Sequence, residues 1–196
     1  LPTRTRRQRQ MCIRDSSDIY FGGNKPPSLL SSDKSLSHSV ELYSLTKGFS
    51  MAGWRVGFAV GNKDAISSVT KLKSYIDYGT FQPIQIASTV ALNELEEYPF
   101  ELSSVYKERR ELIVENLEDL NFSVQESTAT MFVWAKLPEK FRNDSLKFSL
   151  ELLEKSNVAI SPGVGFGKYG EGYIRIALVE NKQRIRQAMK NIKAAL

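Results

Sequence analysis

Two short apolar runs on either side of a polar, glycine-bordered loop are the feature that most limits the fold of this chain. The first run covers residues 40–45, the second covers residues 54–60, and the loop between them contains Lys47. Short, nearly all-apolar runs bounded by glycine are typical of strands that are buried on both faces of a parallel or mixed sheet. The pattern therefore predicts two buried strands with a lysine held between them.

The rest of the chain alternates between helix and strand patterns. Helices are predicted over residues 64–76 (with Asp64 as N-cap), 83–95, 100–120, 145–155 and 181–195, and strands over residues 122–125, 131–137, 158–161 and 173–178. The helix over residues 100–120 would be roughly 30 Å long, enough to bridge two domains. The alternation predicts an α/β fold in which helices pack on a sheet.

The positive charge is concentrated at the start of the chain. The formal net charge is +5, and residues 1–16, with five arginines and one acid, contribute +4 of it. This stretch has neither the apolar core of a secretory signal nor a helical apolar face. We therefore predict a disordered or foreign head, such as a cloning scar or a mistranslated 5′ end. An arginine-rich arm that binds nucleic acid is the alternative. For the folded body, which carries only +1, we expect no nucleic-acid partner.

Cysteine, histidine and hydropathy limit the class of protein. Cys12 is the single cysteine, so an internal disulfide is excluded, and we predict a reducing, cytoplasmic location. His38 is the single histidine, which argues against a histidine triad or a multi-histidine metal site. No apolar stretch approaches the roughly 18 residues that span a bilayer. We expect neither a metal nor a membrane partner.

The lysine loop holds the first candidate functional residues. Burial between two apolar strands would favour a neutral, nucleophilic amine on Lys47, suited to carbonyl chemistry. The hydroxyls of Ser44 and Thr46 and the guanidinium of Arg55 would suit a phosphate dianion. The alternatives are a solvated surface lysine and turn-forming hydroxyl residues beside a solvated arginine.

Arg175 is the candidate in the second half of the chain. Alternation along residues 173–178 places Arg175 on one strand face with Tyr173 and Ala177. A charged side chain there is costly unless it is paired or faces a cleft. Either a substrate carboxylate or an internal glutamate fits its planar fork. The preceding residues 161–172 contain five glycines without the strand-to-helix transition of a phosphate loop, and we predict a flexible wall over a site.

Four stretches together resemble a known family. "YSLTKGFSMAGWRVGFAVGN", "KSYIDYGTFQPIQIASTVAL", "MFVWAKLPE" and "VAISPGVGFGKYGEGYIRIALVENKQRIRQAMKNIK" occur in the order seen in class I/II aminotransferases, the fold-type-I enzymes that depend on pyridoxal 5′-phosphate. The likeness covers residues 17–196 and is nearest to the alanine (glutamate–pyruvate) transaminase branch, with LL-diaminopimelate aminotransferases close by. It implies the C-terminal portion of such an enzyme: part of the large cofactor-binding domain over residues 17–105, then the interdomain helix and small domain over residues 106–196.

The resemblance also implies roles for the candidate residues. Lys47 would form the covalent bond to pyridoxal 5′-phosphate and act as the general base. Ser44 and Arg55 would bind the cofactor phosphate with Thr46 beside them, and Arg175 would bind the substrate α-carboxylate. The implied reaction transfers an amino group between an amino acid, expected to be alanine, and a 2-oxo acid such as 2-oxoglutarate. The implied assembly is a homodimer.

One family pattern is missing. The aspartate that holds the cofactor's pyridine nitrogen and the tyrosine that holds its phenolic oxygen correspond to Ile13 and Ser16, inside the head. Because isoleucine cannot keep the ring nitrogen protonated, we expect the chain alone to be inactive. Three alternatives stay open: LL-diaminopimelate or another amino acid as substrate, a non-enzymatic cofactor-binding regulator domain, and an inactive dimerisation unit.

Overall fold

A computed structural model describes residues 10–142 and 144–196 and divides the chain into two compact units. The first unit is Leu1–Leu102 and the second is Ser103–Leu196. The boundary lies inside a long helix, three residues before the position predicted from sequence. The assignment of the units to a large and a small domain stays a prediction. No helix within the described ranges is both long and apolar enough to cross a membrane.

The first unit is built on a mixed three-stranded sheet. In chain order its elements are β1 (Gln10–Ile13), α1 (Leu29–Ser32), β2 (Ser39–Ser44), α2 (Leu45–Gly48), a 3₁₀ turn (Ala52–Trp54), β3 (Gly57–Gly61), α3 (Lys63–Ile76) and α4 (Gln82–Glu94). The strand order is β1-β2-β3, with β1 parallel and β3 antiparallel to β2. Residues 10–13 of the predicted head thus form a strand, so the expectation of disorder is wrong for them, whereas residues 1–9 lie outside the described part. The foreign origin of the head stays a prediction.

Strand β3 differs from its prediction in length and burial. Arg55 has a left-handed backbone with φ of 51°, so the strand begins at Gly57 rather than at residue 54. Pairing with β2 requires Gly61, whose φ is +146° and whose added Cβ would overlap the carbonyl oxygen of Ser39. Phe58 and Val60 are 41% and 42% exposed, so the prediction of burial on both faces is wrong for this strand. The apolar sequence pattern shows which side chains could be buried. In the described part of the first unit, the side chains of this strand are only partly covered by other residues.

The helices of the first unit begin close to the predicted residues. The N-cap of α3 is Asn62, not Asp64, because the Asn62 side chain accepts a hydrogen bond from the Ala65 amide at 3.0 Å. Asp64 lies in the first turn, where its charge favours the positive end of the helix dipole. Helix α4 begins at Gln82, one residue before Pro83, which was the predicted first residue. Helix α5 (Tyr98–Asp119) crosses the boundary between the units.

The second unit is a four-stranded antiparallel sheet packed against helices. Its further elements are β4 (Ser123–Val124), β5 (Phe132–Lys136), a 3₁₀ turn (Glu139–Phe141), α6 (Ser145–Ser156), β6 (Ser161–Pro162), two 3₁₀ turns (Gly163–Phe166 and Lys168–Gly170), β7 (Tyr173–Ala177) and α7 (Lys182–Ala195). The strand order is β4-β5-β7-β6. Strand β6 is shorter than predicted: Asn157 ends α6 with a left-handed backbone, and pairing with β7 begins only at Ser161.

The central strands of the second unit separate a core face from a partly exposed face that carries aromatic side chains and Arg175. Val133 and Ala135 of β5 and Ile174 of β7 are buried almost completely. They alternate with Trp134 and Arg175, which are directly paired across the two strands. Because successive side chains of a strand point to opposite faces, the core side chains fix Arg175 on the other face. The predicted sharing of one face by Arg175 and Tyr173 follows from the same register.

Candidate active site

Lys47 lies on a short helix rather than in an irregular loop. Strand β2 ends at Ser44, whose Oγ accepts a hydrogen bond from the Thr46 amide at 3.2 Å and so caps α2. Leu45 is fully buried and packs with Met51 and Ala91. This buried anchor fixes the position of the turn that carries Lys47 two residues later.

The amine of Lys47 is largely withdrawn from solvent. Its side chain is 21% exposed, and Nζ forms an ion pair with the carboxylate of Asp15 and donates to Ser16 Oγ at 3.0 Å. The hydrogen bond from Lys47 lowers the pKa of Asp15 below its usual value, although partial burial works in the opposite direction. A solvated surface lysine, the alternative considered from sequence, does not fit this environment.

The candidate phosphate ligands are brought together only in part. Ser44 Oγ donates to Thr46 Oγ1 at 2.9 Å, so the two hydroxyls form a pair. Arg55 precedes Val56, whose carbonyl oxygen lies 3.4 Å from both Ser44 Oγ and the Leu45 amide. The Arg55 guanidinium is exposed and donates to the carbonyl of Ala52 at 3.4 Å. Its backbone is therefore beside the hydroxyl pair, while its side chain is engaged elsewhere.

Asp18 and Tyr43 support the lysine turn and were not identified from sequence. The Tyr43 hydroxyl donates to the Asp18 carboxylate, and a Cβ added at Gly48 would lie 2.7 Å from Asp18 Oδ2. Burial, followed by the hydrogen bond to Asp18, raises the pKa of Tyr43. Gly48 was the one sequence feature that could have indicated these residues, because a glycine directly after the lysine permits the close approach of the Asp18 side chain.

Arg175 faces a cleft and contacts aromatic rings. Its guanidinium carbon lies 4.2 Å from the ring centroid of Phe132 and 4.1 Å from that of Phe166. The cleft has a volume of about 250 Å³ and also contains Trp134 and Thr130. Glu126 also lines the cleft, but within residues 10–142 and 144–196 no carboxylate or carbonyl group forms a hydrogen bond or ion pair with this guanidinium. The internal salt bridge to a glutamate, one of the two alternatives for Arg175, is thus not observed.

The glycine-rich segment beside Arg175 consists of two packed turns, where the sequence predicted a flexible wall. A Cβ added at Gly163 would overlap the carbonyl oxygen of Gly170, so the two 3₁₀ turns pack backbone to backbone. The Val164 amide donates to Ser145 Oγ at 3.3 Å, which ties the segment to α6. The first turn ends at Phe166 and so brings that ring to Arg175.

Comparison with known proteins identifies the family. The family model for aminotransferase class I and II matches residues 17–192. The protein AatC of Rhizobium meliloti (strain 1021) is 51% identical over 92% of this chain. The glutamate-pyruvate aminotransferase AlaC of Escherichia coli (strain K12) is 43% identical over 91%, and the LL-diaminopimelate aminotransferase of Natranaerobius thermophilus is 47% identical over 90%. The chain spans 45%, 43% and 45%, respectively, of the lengths of these relatives.

A solved structure agrees with these sequence matches. The aminotransferase from Staphylococcus aureus is 32% identical, and its structure superposes with a TM-score of 0.86 over 94% of this chain and 49% of its own. The predicted α/β architecture of fold type I is therefore confirmed.

The residues present fit one end of the family's cofactor better than the other. The family uses pyridoxal 5′-phosphate. The Lys47 amine suits its aldehyde, and the paired hydroxyls of Ser44 and Thr46 suit its phosphate. Ile13, at the position expected to hold the ring nitrogen, is 66% exposed and has no ionisable group. With a family model that matches residues 17–192 and a lysine turn of suitable chemistry, the chain belongs to the class I and II aminotransferases.

Proposed function

We propose that this chain supplies the lysine turn and the carboxylate-binding arginine of a pyridoxal-phosphate-dependent aminotransferase. The observation that carries the proposal is the partly buried Lys47, whose side chain is 21% exposed, on a turn capped by Ser44. The proposed reaction exchanges the amino group of alanine for the oxo group of a 2-oxo acid such as 2-oxoglutarate. The likeness to AlaC supports alanine, and the likeness to LL-diaminopimelate aminotransferase supports that amino acid as the second candidate.

Each residue has a separate task in this proposal. When bound, pyridoxal 5′-phosphate supplies an electron sink that stabilises negative charge at the substrate α-carbon. Lys47 Nζ removes the proton from that carbon and later returns a proton, as a general base and acid. Ser44, Thr46 and Arg55 bind the phosphate, and Arg175 binds the α-carboxylate through two parallel N–H···O bonds.

Lys47 and the two positions expected to hold the cofactor ring lead to different expectations for cofactor binding and for catalysis. Because Lys47 and the hydroxyl pair are present, we expect the chain to capture the cofactor. Because Ile13 and Ser16 occupy the positions that should hold its ring, we expect no measurable transamination by the chain itself. As further proposals, we expect the whole protein to be a cytoplasmic homodimer.

Cofactor capture is tested by chemical trapping. The chain is mixed with pyridoxal 5′-phosphate and reduced with borohydride, and the labelled peptides are identified by mass spectrometry. We expect Lys47 to be labelled at limiting cofactor and the label to be lost in Lys47→Ala. Lys71→Ala, which removes an exposed lysine of α3, is the matched control and should retain it. Labelling spread evenly over exposed lysines, and unchanged in Lys47→Ala, would contradict the proposal.

The amino donor is tested in a chimera. Residues 17–196 replace the matching segment of AlaC, so that the upstream half stays constant. We expect the ratio of kcat/KM for alanine to that for LL-diaminopimelate to stay close to that of AlaC. A reversal of this ratio would favour the LL-diaminopimelate alternative, because only the exchanged segment differs. A chimera that binds the cofactor on Lys47 but transfers no amino group would instead favour the regulator alternative.

A further inference from the structure

Arg175 carries its charge at a half-buried strand position, and among the residues that the structure describes its guanidinium donates no hydrogen bond. An arginine guanidinium has five N–H donors and no acceptor. The contacts to Arg175 in the described residues are with the faces of Phe132 and Phe166, 4.2 Å and 4.1 Å from the guanidinium carbon. A ring face attracts a cation but provides no strong hydrogen-bond acceptor. The side chain is thus held in place while its donors remain available.

Two other arginines of the same unit show the usual arrangement. Arg109 lies over the ring of Tyr106 at 5.5 Å, but it also donates to the carbonyls of Leu178 and Val179 at 2.8 Å and 3.1 Å. Arg142 pairs with Glu139 and donates to the carbonyl of Leu137 at 3.2 Å. Both guanidinium groups thus use part of their donors on the protein, which the Arg175 guanidinium does not do within the described residues.

We propose that Phe132 and Phe166 are positioning residues that hold the Arg175 guanidinium over their ring faces and leave N–H donors for a carboxylate ligand. The carboxylate part of this inference rests on the proposed function. The contact between the rings and Arg175 does not, because it is made entirely within the second unit. An acidic partner in place of the rings would compete with the ligand for the same donors, whereas a ring does not.

Strand register positions Phe132, and aromatic contacts hold Phe166 independently of Arg175. Phe132 is two residues before Trp134, which is paired with Arg175, so Phe132 reaches the guanidinium diagonally across β5 and β7. Phe166 contacts Trp134 edge to face, with ring centroids 5.6 Å apart. Trp134 in turn stacks on Tyr173 at 5.6 Å. The aromatic contacts therefore support each other before a ligand arrives.

The inference is tested by NMR of the Arg175 side chain in the 196-residue chain, with propionate as the probe. Aromatic ring currents should shift the Arg175 side-chain resonances, and Phe166→Leu should move them towards the values of an exposed arginine. Phe166 is 49% exposed, so its replacement should leave the core amides of Val133 and Ile174 unchanged. Phe166→Tyr keeps the ring and should restore the shift. Phe141→Leu, the same change at a ring contacted by Lys140, is the matched control.

Propionate binding completes the test. We expect about threefold weaker binding in Phe166→Leu or Phe132→Leu and about tenfold in the double variant, in line with the strength of exposed cation–π contacts. Equal propionate binding in wild type and both variants would overturn the positioning role and leave the proposed function intact. If propionate fails to shift Arg175 in the wild type although Phe166→Leu moves its resonances, the carboxylate role is overturned, and the proposed function fails at this residue.

Discussion

Lys47 in the first unit and Arg175 in the second are both half-buried cations beside a sheet, but their surroundings differ. Arg175 lies on a sheet whose other face is a closed core, and rings of the same unit hold it. The Lys47 amine contacts Asp15 and Ser16, which belong to the segment predicted to be foreign. The observed partners of Arg175 thus lie within its own unit, whereas the observed partners of the Lys47 amine lie in the predicted head.

The distribution of the core agrees with this difference. Of the eighteen buried hydrophobic side chains among the described residues, fourteen belong to the second unit and four to the first. On the first sheet an open groove of about 920 Å³ runs between Phe58 and α3. Since burial of apolar surface is the main stabilising contribution to folding, we expect the second unit to be the more stable one. The following predictions test this asymmetry.

The largest expected effect is in the core of the second unit. Leu178 is fully buried, whereas Leu72 on α3 is 61% exposed. Leu178→Ala should lower the free energy of unfolding by about 2–5 kcal/mol, because it removes buried methyl groups and leaves a cavity. Leu72→Ala, the same substitution, should cost about 0.5 kcal/mol or less. Urea unfolding measures both. Equal losses would show that the first unit is as well packed as the second.

A smaller effect is expected at the paired turns that carry Phe166. Gly163→Ala should destabilise the second unit by about 1–3 kcal/mol, because the new methyl group overlaps the carbonyl of Gly170 and the backbone must shift. Gly165→Ala is the control, since a Cβ there meets nothing within 4 Å. Thermal unfolding followed by Trp134 fluorescence, with Trp54 replaced by phenylalanine in both variants, measures the difference. If the two variants unfold at the same temperature, the close packing of these turns is not a source of stability.

The regular elements were the part of the fold that the sequence predicted best. Alternation of large apolar and polar side chains identified β5 and β7, because strand periodicity is a local property. The start of β3 was missed because Arg55 adopts a left-handed backbone, which few non-glycine residues do. The N-cap of α3 was placed two residues late, since Asn62 and Asp64 are both suitable caps.

Sequence motifs could name candidate site residues but not their contacts. The motifs identified Lys47, Ser44 and Arg175 as candidates, and their roles remain proposals. The sequence could not show that Phe166 would contact Arg175, because this contact depends on the packing of Gly163 on Gly170, which positions the turn that carries Phe166. It also could not show that Asp18 would reach Tyr43 across 25 residues. Such contacts depend on tertiary structure, which no local pattern encodes.

If Tyr43 supports the lysine turn, the stability of the first unit should depend on pH. Burial and the hydrogen bond to Asp18 raise the pKa of Tyr43 in the folded state. The resulting stability is fully present below the unfolded pKa of about 10 and is lost as pH rises towards the folded value. The slope should stay below the limit of about 1.4 kcal/mol per pH unit, since the half-buried ring is partly screened by solvent.

Tyr43→Phe should reduce this loss of stability between about pH 10 and 11, as measured by urea unfolding at several pH values. Tyr78→Phe, at a fully exposed ring, should leave the pH dependence unchanged. An identical pH dependence in the two variants would mean that the hydrogen bond between Tyr43 and Asp18 does not stabilise the lysine turn.

The smallest effect on stability is expected for a substitution at Asp15. This substitution should change the reactivity of Lys47 while it leaves the fold largely unchanged. The carboxylate is nearly half exposed, so Asp15→Asn should change the free energy of unfolding by about 1 kcal/mol or less. The same change removes the anion that holds the Lys47 amine, and trapping of pyridoxal 5′-phosphate on Lys47 should therefore become faster. Asp64→Asn, in the first turn of α3, is the matched control and should leave the trapping rate unchanged. If Asp15→Asn slows trapping instead, the ion pair orients the Lys47 amine for reaction with the cofactor rather than making it less reactive. The segment before residue 17 would then contribute to the reactivity of Lys47.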